Sequence, residues 1–328
     1  MLIDVEHRMH FDYDDFIRES QMEIRVEPQV GSNQALHSFQ LAVGPEASVD
    51  RYVDWNDNWV HNLAIRDYHN RIEIVARSLV DTISSHRRLE DAVSSPGPDI
   101  PGEFLDFCRF GGPVTSSPEL EAVGMEVAAA PGASVGEQVA AIGEILTARI
   151  DYRPGTTNWR STVSDVLQKG SGVCQDFAHL GLALLRMRGI PCRYVSGYLH
   201  VGEQPAQSHA WIEFYAGIEG WFAFDPTHSR VPDENYVVVG VGRSYSDVPP
   251  NRGVCRGRAR ETLKAVVSTR QATGINVVGL GDQIQGLDVP VYAEMPSRGR
   301  DARFEADEIH DRVARQQQQQ QQQRREMR

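Results

Sequence analysis

The stretch Gly170-Ser171-Gly172-Val173-Cys174-Gln175-Asp176-Phe177-Ala178-His179 decides how the rest of this chain is interpreted. A Gly/Ser turn runs directly into an apolar segment, residues 180–188, which stops at Gly189 with Pro191 close behind. Glycine just past the last periodic residue, a proline soon after and arginines in the last turn all signal a helix end. The pattern predicts a short buried helix whose first turn contains Cys174.

A cysteine in the first turn of a helix has particular chemistry. The first turn leaves backbone N–H groups unpaired and carries the positive end of the helix dipole. Both favour a thiolate, which is the nucleophilic form of cysteine, and the same N–H groups can hold a developing oxyanion. A lone buried cysteine is more often a small apolar residue in a core. The assignment of Cys174 as a nucleophile therefore depends on residues elsewhere in the chain.

Composition excludes several classes of protein. The chain has 328 residues, enough for two modest domains. A net charge of −12 without a long basic stretch argues against a nucleic-acid partner. No signal-peptide pattern opens the sequence, and no apolar run approaches the ~20 residues of a membrane helix, so we expect no membrane partner. Four cysteines without a CxxC pair are typical of a reducing compartment, and we predict a cytoplasmic protein.

Residues 1–95 have the pattern of a small antiparallel β-sandwich domain. Apolar and charged residues alternate with a period of two over several short segments separated by Gly, Asn, Asp and Pro; these segments are 22–26, 36–43, 59–65 and 71–79. Three histidines in this region, His37, His61 and His69, have no cysteine or carboxylate at a ligand spacing. We interpret them as ordinary strand residues and predict no metal site here.

The rest of the chain divides into a linker, a second domain and a tail. Residues 96–118 are rich in Ser, Pro and Gly and are predicted to be a linker. Residues 119–271 carry helical periodicity first and strand patterns afterwards, which predicts an α+β domain with helices packed on an antiparallel sheet. The predicted helices cover 119–130, 134–150 and 163–168 before the Cys174 helix, and the predicted strands cover 192–199, 209–215, 221–225, 236–241 and 262–269.

Residues 272–328 form the predicted tail, which contains eight consecutive glutamines at 316–323. Such a sequence is typical of disorder or of a loose solvated helix. The glutamines could serve as acyl donors for an amide-cleaving cysteine enzyme, but plain low complexity is the favoured interpretation.

Two apolar-alternating runs around Gly217 predict a β-hairpin that brings a histidine to an aspartate. Folding the chain about Gly217 places Glu213 opposite Trp221 and His209 opposite Asp225, all on one face of the sheet. The other face carries only apolar side chains, as a core face should. A carboxylate beside an imidazole fixes its tautomer and stabilises the imidazolium. Together with Cys174, this is the set required for nucleophilic acyl transfer.

These residues resemble the bacterial transglutaminase-like proteins. The resemblance rests on the Cys174 stretch, on Arg188-Gly-Ile-Pro-Cys-Arg-Tyr-Val-Ser-Gly-Tyr198, on His209-Ala-Trp-Ile-Glu213 and on Trp221-Phe-Ala-Phe-Asp-Pro-Thr227. It implies a papain-like core with an N-terminal sandwich domain and a catalytic triad of Cys174, His209 and Asp225. One departure is His228, which stands where many relatives carry Asn.

Further residues are candidates for an oxyanion hole or a substrate pocket. Distant transglutaminases hold the oxyanion with an indole N–H, which makes Trp159 a candidate, although core packing is favoured. Gln168 lies where papain-like proteases place an oxyanion glutamine, although a solvated helix end is favoured. Gln175 follows the nucleophile directly, and Trp211 follows His209 on the same sheet face. Asp176 is expected only to complement the helix N-terminus.

The leading hypothesis is a cofactor-free cysteine enzyme that attacks amide bonds of peptides or proteins through a thioester. Water would resolve the thioester in a hydrolase and an amine in a transglutaminase; hydrolysis is favoured slightly because excluding water is demanding. Two alternatives stay open. One is a catalytically silent binding module with the same fold, and the other is a zinc site of Cys174, His209 and Asp225. The sequence does not identify the substrate or the oligomeric state.

Overall fold

A computed structural model describes residues 1–94, 100–127, 132–202, 207–274 and 291–293. The helices are α1 (Pro118–Glu126), α2 (Val135–Arg149), α3 (Val163–Lys169) and α4 (Cys174–Arg186). The strands are β1 (Leu2–Ile17), β2 (Ser20–Ile24), β3 (Gln34–Gly44), β4 (Ser48–Val53), β5 (Trp59–Ile65), β6 (His69–Thr82), β7 (Asp151–Tyr152), β8 (Ser171–Gly172), β9 (Cys192–Leu199), β10 (Gln207–Tyr215), β11 (Trp221–Phe224), β12 (Tyr236–Gly242), β13 (Asn251–Cys255), β14 (Glu261–Gln271) and β15 (Val291–Ala293).

The N-terminal part is β-rich, as predicted, with two antiparallel sheets. Their strand orders are β14-β1-β6-β3-β15 and β13-β2-β5-β4. β1, the longest of the described strands, is not among the segments predicted from the sequence. Its first twelve residues alternate strictly between buried and half-buried positions, and Ile3, Val5, Met9 and Phe11 are buried. This period of two is the signature of a strand with one face in a core.

The last predicted strand does not belong to the sheet in which it was predicted. The strand expected over 262–269 is present as β14, but β14 pairs with β1, and β13 pairs with β2. The segment 251–271 therefore completes the N-terminal sheets, and its expected place in the catalytic sheet is wrong. Local alternation shows that a segment is a strand, but it does not show which edge the strand will join.

The α+β region is built as predicted, from helices on one face of an antiparallel sheet. The sheet has the order β11-β10-β9-β12. Ile212, Phe214, Phe222 and Phe224 face the helices and share one apolar cluster with the buried side of α4. Gly181 of α4 allows close approach, because a Cβ there would lie 3.2 Å from Cδ1 of Ile212. The helix predicted from Ser134 begins with its capping box, since Ser134 and Glu137 exchange hydrogen bonds.

The β9–β12 side of this sheet packs on the N-terminal part. Apolar side chains of β1 and β6 meet Tyr198, Val237 and Val239 in a second cluster. Two amides from the N-terminal part also bind the outer edge of β12. Gln34 contacts both the N–H and the C=O of Val238, at 2.8 and 2.7 Å. Asn58 contacts both backbone groups of Val241, at 2.7 and 2.9 Å. These amides complete the ladder where no further strand follows.

Part of the predicted linker is structured. Gly102–Cys108 forms a 3-10 helix whose Phe104 and Phe107 rings pack against Trp221. Residues 95–99 and almost all of the predicted tail lie outside the described residues. Among the helices of the described chain, none combines the length and the apolar character needed to cross a bilayer.

Candidate active site

The first turn of α4 is fixed by Asp176. Its Oδ2 atom accepts hydrogen bonds from the backbone N–H of Val173, at 2.8 Å, and from the Thr157 hydroxyl, at 2.6 Å. Asp176 is buried, and burial raises the pKa of its carboxyl even though both bonds oppose the shift. Asp176 thus caps the helix, as expected, and also ties the loop before α3 to the turn that carries Cys174.

The helix start leaves hydrogen-bond donors beside the sulfur. Cys174 is the first residue of α4. The first backbone hydrogen bonds of the helix run from the N–H groups of Asp176 and Phe177 to the carbonyl of Val173. Within the described residues, the N–H groups of Cys174 and Gln175 have no backbone partner. Both are therefore available to hold negative charge on a bound carbonyl oxygen.

His209 and Asp225 are in contact, although the predicted hairpin register was wrong. Ile212 pairs with Phe224 and Tyr215 with Trp221, so the pairing is displaced by two residues from a fold about Gly217. A five-residue turn, 216–220, replaces the tight one, and Gly220 adopts a positive φ of 80° within it. A displacement of two preserves the face of every side chain. Nε2 of His209 still lies 2.7 Å from Oδ2 of Asp225.

Asp225 is the centre of a larger network than the sequence predicted. Its Oδ2 atom also lies 2.7 Å from Nδ1 of His228 and accepts a 2.7 Å hydrogen bond from the Tyr236 hydroxyl. Its Oδ1 atom accepts from the N–H of Thr227. Arg230 donates to the Tyr236 hydroxyl at 3.0 Å. The carboxylate is completely buried, and it is held by four donors.

The charges of this network favour a protonated imidazole. Burial lowers the pKa of His209, but hydrogen bonds to Asp225 and Cys174 and the charges of both groups outweigh burial and raise it to about 9. Burial acts in the opposite direction on Asp225, yet its hydrogen bonds to His209 and His228 hold its pKa well below the ordinary range. The result is a buried imidazolium–carboxylate pair.

The same imidazole meets the thiol of Cys174. A hydrogen bond between the two side chains contributes to the raised pKa of His209. Because Nε2 faces Asp225, Nδ1 is the nitrogen that is left for Cys174. Two tyrosines lie near enough for the charge of Cys174 to act on them, and burial together with that charge raises the pKa of Tyr152 and Tyr194.

The remaining predicted site residues range from fully buried to exposed. Trp211 is 1 % exposed and stacks beside His209, with Tyr236 edge-on to it at 5.2 Å, so it supports the imidazole from behind. Trp159 is 58 % exposed and lies under the Arg160 guanidinium. Gln168 is exposed, with Nε2 3.4 Å from the Ser164 hydroxyl. Gln175 is half-buried at the helix start.

The sequence analysis gave no role to Tyr236 and Tyr194. Both lie on strands distant in sequence from the residues they approach, and nothing in an alternating apolar strand distinguishes such a tyrosine from a packing residue. His228 was noticed only as a departure from the family pattern. The pairing of Asp225 with Arg230 closes the turn that brings His228 back to Asp225.

The alternative of a zinc site formed by Cys174, His209 and Asp225 can be compared with the positions of these residues. Within the described residues, Cys174 does not join His209 and Asp225 in a group of ligand atoms close enough to share one ion. A different trio, His209, Asp225 and His228, has ligand atoms within 4.8 Å of one another. Its 2.7 Å nitrogen-to-oxygen separations are those of hydrogen bonds, and the residues act here as donors and acceptor.

Comparison with known proteins identifies the family. The sequence model of the transglutaminase-like superfamily core matches residues 122–226, and that of the bacterial transglutaminase-like N-terminal region matches residues 3–81. The chain is 34% identical to an uncharacterized protein of Mycobacterium leprae, over 80% of this chain and 96% of that protein. It is 30% identical to an uncharacterized protein of Mycobacterium tuberculosis, over 76% and 86%. The chain belongs to the transglutaminase-like superfamily.

Two further similarities concern proteins with more descriptive names. A crystal structure of a "putative cysteine protease" from Cytophaga hutchinsonii aligns with a TM-score of 0.69 at 22% identity, over 90% of this chain and 98% of that one, which shows a shared fold. A protein-glutamine gamma-glutamyltransferase of Pseudomonas aeruginosa is 35% identical over 72 residues, which are 19% of this chain and 11% of that protein.

Proposed function

We propose that this protein is a cysteine-dependent enzyme that attacks amide bonds of peptides or proteins and forms a thioester on Cys174. The observation that carries the proposal is the position of the His209 imidazole between the Cys174 thiol and the Asp225 carboxylate. A nucleophile at a helix start, a base and a group that orients the base are the minimum set for acyl transfer. The similarity to a glutamyltransferase over 72 residues supports the same chemistry.

The geometry supports the following first half-reaction. In the reactive form the proton of Cys174 already resides on Nδ1 of His209, and the thiolate sulfur forms a bond to the carbonyl carbon of the substrate. The N–H groups of Cys174 and Gln175 hold the oxyanion. The C–N bond then breaks, and the imidazolium returns the proton to the leaving amine. Asp225 keeps the imidazole oriented and stabilises its charge throughout.

The second half-reaction resolves the thioester with water or with an amine. The incoming molecule gives a proton to the neutral His209 while its oxygen or nitrogen bonds to the thioester carbon, and the Cys174 sulfur leaves. Hydrolysis is the outcome we favour, because transfer to an amine requires a site that excludes water. We keep the cytoplasm as the proposed location, since a reducing compartment preserves a free nucleophilic thiol.

Thiol labelling tests the activated nucleophile directly. Cys255 is the matched control, because it is an exposed free cysteine on the same chain. We expect iodoacetamide at neutral pH to label Cys174 at least roughly tenfold faster than Cys255. His209→Ala should remove this advantage and leave the rate at Cys255 unchanged. Equal rates at the two cysteines of the wild-type protein would contradict the proposal.

Turnover tests the reaction. Glutamine-containing peptides are incubated with and without a primary amine, and released ammonia, cleaved peptide and incorporated amine are measured by mass spectrometry. The wild-type protein should form one of these products, and Cys174→Ala should form none. A protein that binds the peptides without turning any of them over would be the silent binding module instead.

A further inference from the structure

The outer edge of strand β13 carries backbone groups without a partner in the described chain. β13 is the edge strand of its sheet and pairs only with β2. Two hydrogen bonds flank this antiparallel ladder, from Arg25 N–H to the Pro250 carbonyl and from Arg256 N–H to the Glu19 carbonyl. They show which residues of β13 turn their backbone groups towards β2 and which turn them outward. The backbone groups of Arg252 and Val254 therefore form hydrogen bonds with β2. The N–H and C=O groups of Asn251, Gly253 and Cys255 point outward.

Strand β12, the edge strand of the α+β sheet, has partners for its outward backbone groups. On β12 the outward groups of Val238 and Val241 are bound by the side-chain amides of Gln34 and Asn58. No described side chain bonds to the outward groups of β13 in this way. The protein thus closes one edge and leaves open another that is equally able to pair with an added strand.

The open edge borders a cavity on the side of the molecule where Trp159 and Tyr245 lie. This cavity, about 580 Å³ in volume, is lined by Val254 of β13, by Leu263 of β14 and by Trp159 and Tyr245. The backbone N–H of Tyr245 contacts Nε2 of His179 on α4, at 3.1 Å. Trp159 lies two residues beyond Thr157, whose hydroxyl is bound to Asp176 in the first turn of α4. Two residues that line the cavity, Trp159 and Tyr245, are thus linked through these contacts to α4, the helix that begins at Cys174.

The surface beside this edge is basic, whereas the chain as a whole has a net charge of −12. Exposed arginines follow the strand and the turn after it: Arg252, Arg256, Arg258 and Arg260. None of them has an ion pair among the described residues. Three neighbouring acids are already engaged: Glu23, opposite Arg252 on β2, by Arg25, Glu261 by the Tyr13 hydroxyl, and Asp14 by the backbone N–H of Arg260. Acidic side chains on a bound chain would meet these arginines.

We propose that the open edge of β13 binds the substrate as an extended acidic peptide, which pairs with Asn251, Gly253 and Cys255 and leads its acyl group past Trp159 to Cys174. This inference deepens the proposed function and rests on it. Backbone pairing supplies affinity for any extended chain, and the arginines supply the preference for acidic ones. A peptide in this position covers Cys255, which makes that thiol a built-in reporter.

The test measures binding to the full-length Cys174→Ala protein, so that it does not depend on turnover. The probe is a fluorescein-labelled seven-residue peptide in which Glu and Val alternate around one Gln. Changes are made on the peptide rather than at Gly253, because a Cβ on Gly253 would lie 2.9 Å from Cγ of Met22. The reference peptide is compared with a set that carries one N-methyl group at each successive position, and with a Lys-for-Glu version.

We expect a period of two. N-methylation at alternate positions should raise the Kd roughly tenfold, and at the intervening positions by less than about twofold, because only alternate N–H groups face the edge. The Lys version should bind at least about tenfold more weakly. Arg256→Gln combined with Arg258→Gln should weaken the acidic peptide several-fold, whereas Arg71→Gln on β6 should not. Bound acidic peptide should slow the alkylation of Cys255 and leave that of Cys108 unchanged.

Several results would overturn the inference. Binding without a period of two, equal binding of the Lys version, or no binding at all removes it. Protection of Cys255 that grows with protein concentration in the absence of peptide would assign the edge to a second copy of the chain and would also overturn it. Fast labelling of Cys174 in the wild-type protein tests the proposed function separately, so the two can fail independently.

Discussion

His228 places its Nδ1 atom 2.7 Å from Oδ2 of Asp225, the same oxygen that His209 contacts. The side chain of His228 is 45 % exposed, whereas Asp225 is completely buried. The carboxylate that orients the base is therefore linked to solvent through a second imidazole. We interpret His228 as a positioning residue, because it acts on the reaction through Asp225.

His228→Ala removes one donor from Asp225 and should lower kcat/KM about threefold to tenfold, mainly through kcat, because one hydrogen bond contributes on the order of 1 kcal/mol. His228→Asn retains a donor of similar reach and should restore the rate at neutral pH to within about twofold of wild type. Steady-state kinetics of the three proteins measure the effect, and an unchanged kcat/KM in His228→Ala would remove this role.

The alkaline limit of activity should follow the pKa of His209. That pKa is raised to about 9, so kcat/KM should fall as the pH rises through about 9, because the imidazole can then no longer protonate the leaving amine. In Asp225→Asn the group that raises the pKa is lost, and the limit should move at least about one pH unit lower while kcat falls on the order of 10²-fold or more. Asp81→Asn, on the surface of β6, serves as the control. An unmoved limit in Asp225→Asn would contradict the assignment.

The same pair should make stability depend on pH in a defined direction. A group whose pKa is raised in the folded state stabilises the protein fully below its unfolded value, here 6.5, and this contribution is lost as the pH rises through the folded value of about 9. The free energy of unfolding should therefore decrease between pH 6.5 and 9, by at most about 3 kcal/mol from this pair. Urea unfolding at a series of pH values measures the decrease, which should be much smaller in His209→Gln. A slope unaltered by that change would locate the effect elsewhere.

Gly172 is required for the turn that presents Cys174. A Cβ on Gly172 would lie 2.7 Å from both Cβ and Oδ2 of Asp176. Gly172→Ala should displace Asp176 from the N–H of Val173 and move the first turn of α4, with a fall in kcat/KM of roughly tenfold to a hundredfold. Gly111→Ala is the matched control, because a Cβ there meets nothing within 4 Å. Steady-state kinetics measure the effect, and circular dichroism checks that each variant is folded. Equal kcat/KM values for Gly172→Ala and the wild-type protein would show that the turn tolerates the methyl group.

Asn58 should be among the most sensitive positions for stability outside the site. Asn58→Leu leaves the N–H and C=O of Val241 without their partners in a buried interface, and each such group costs about 1–3 kcal/mol. We expect a loss of about 2–5 kcal/mol in the free energy of unfolding, measured in urea. Asn58→Asp keeps the acceptor for the Val241 N–H and should lose less. Asn70→Ala, at an exposed position, should change the free energy of unfolding little. A similar loss in this control would show that the effect of Asn58→Leu does not come from the contact with Val241.

The sequence predicted most of the elements because their signals are local. The capping box at Ser134, the alternation in β10 and β11 and the glycine after α4 each depend on neighbours within a few residues. The contact of His209 with Asp225 was predicted despite a register displaced by two, because a displacement of two returns every side chain to its face. A displacement of one would have separated the two residues.

What the sequence did not reveal depends on contacts between distant segments. The place of β14 beside β1, the hydroxyl of Tyr236 on Asp225 and the amides of Gln34 and Asn58 on β12 join residues more than ten positions apart. No local periodicity encodes such pairings, since each partner alone has the pattern of an ordinary strand or loop residue. The roles predicted for Trp159 and Gln168 stay predictions, and the exposure of both side chains is a finding that their variants can now test.

The return of β13 and β14 to the N-terminal sheets gives the molecule an unusual order of assembly. Strands β1–β6 of the sandwich are synthesised before the α+β segment, and β13 and β14 only after it. The segment that carries Cys174, His209 and Asp225 is in effect an insertion within the sandwich. A ribosome that stalls before residue 251 would release a sandwich that lacks β13 from one sheet and both β14 and β15 from the other, so an unfinished chain would carry Cys174, His209 and Asp225 on an incomplete scaffold.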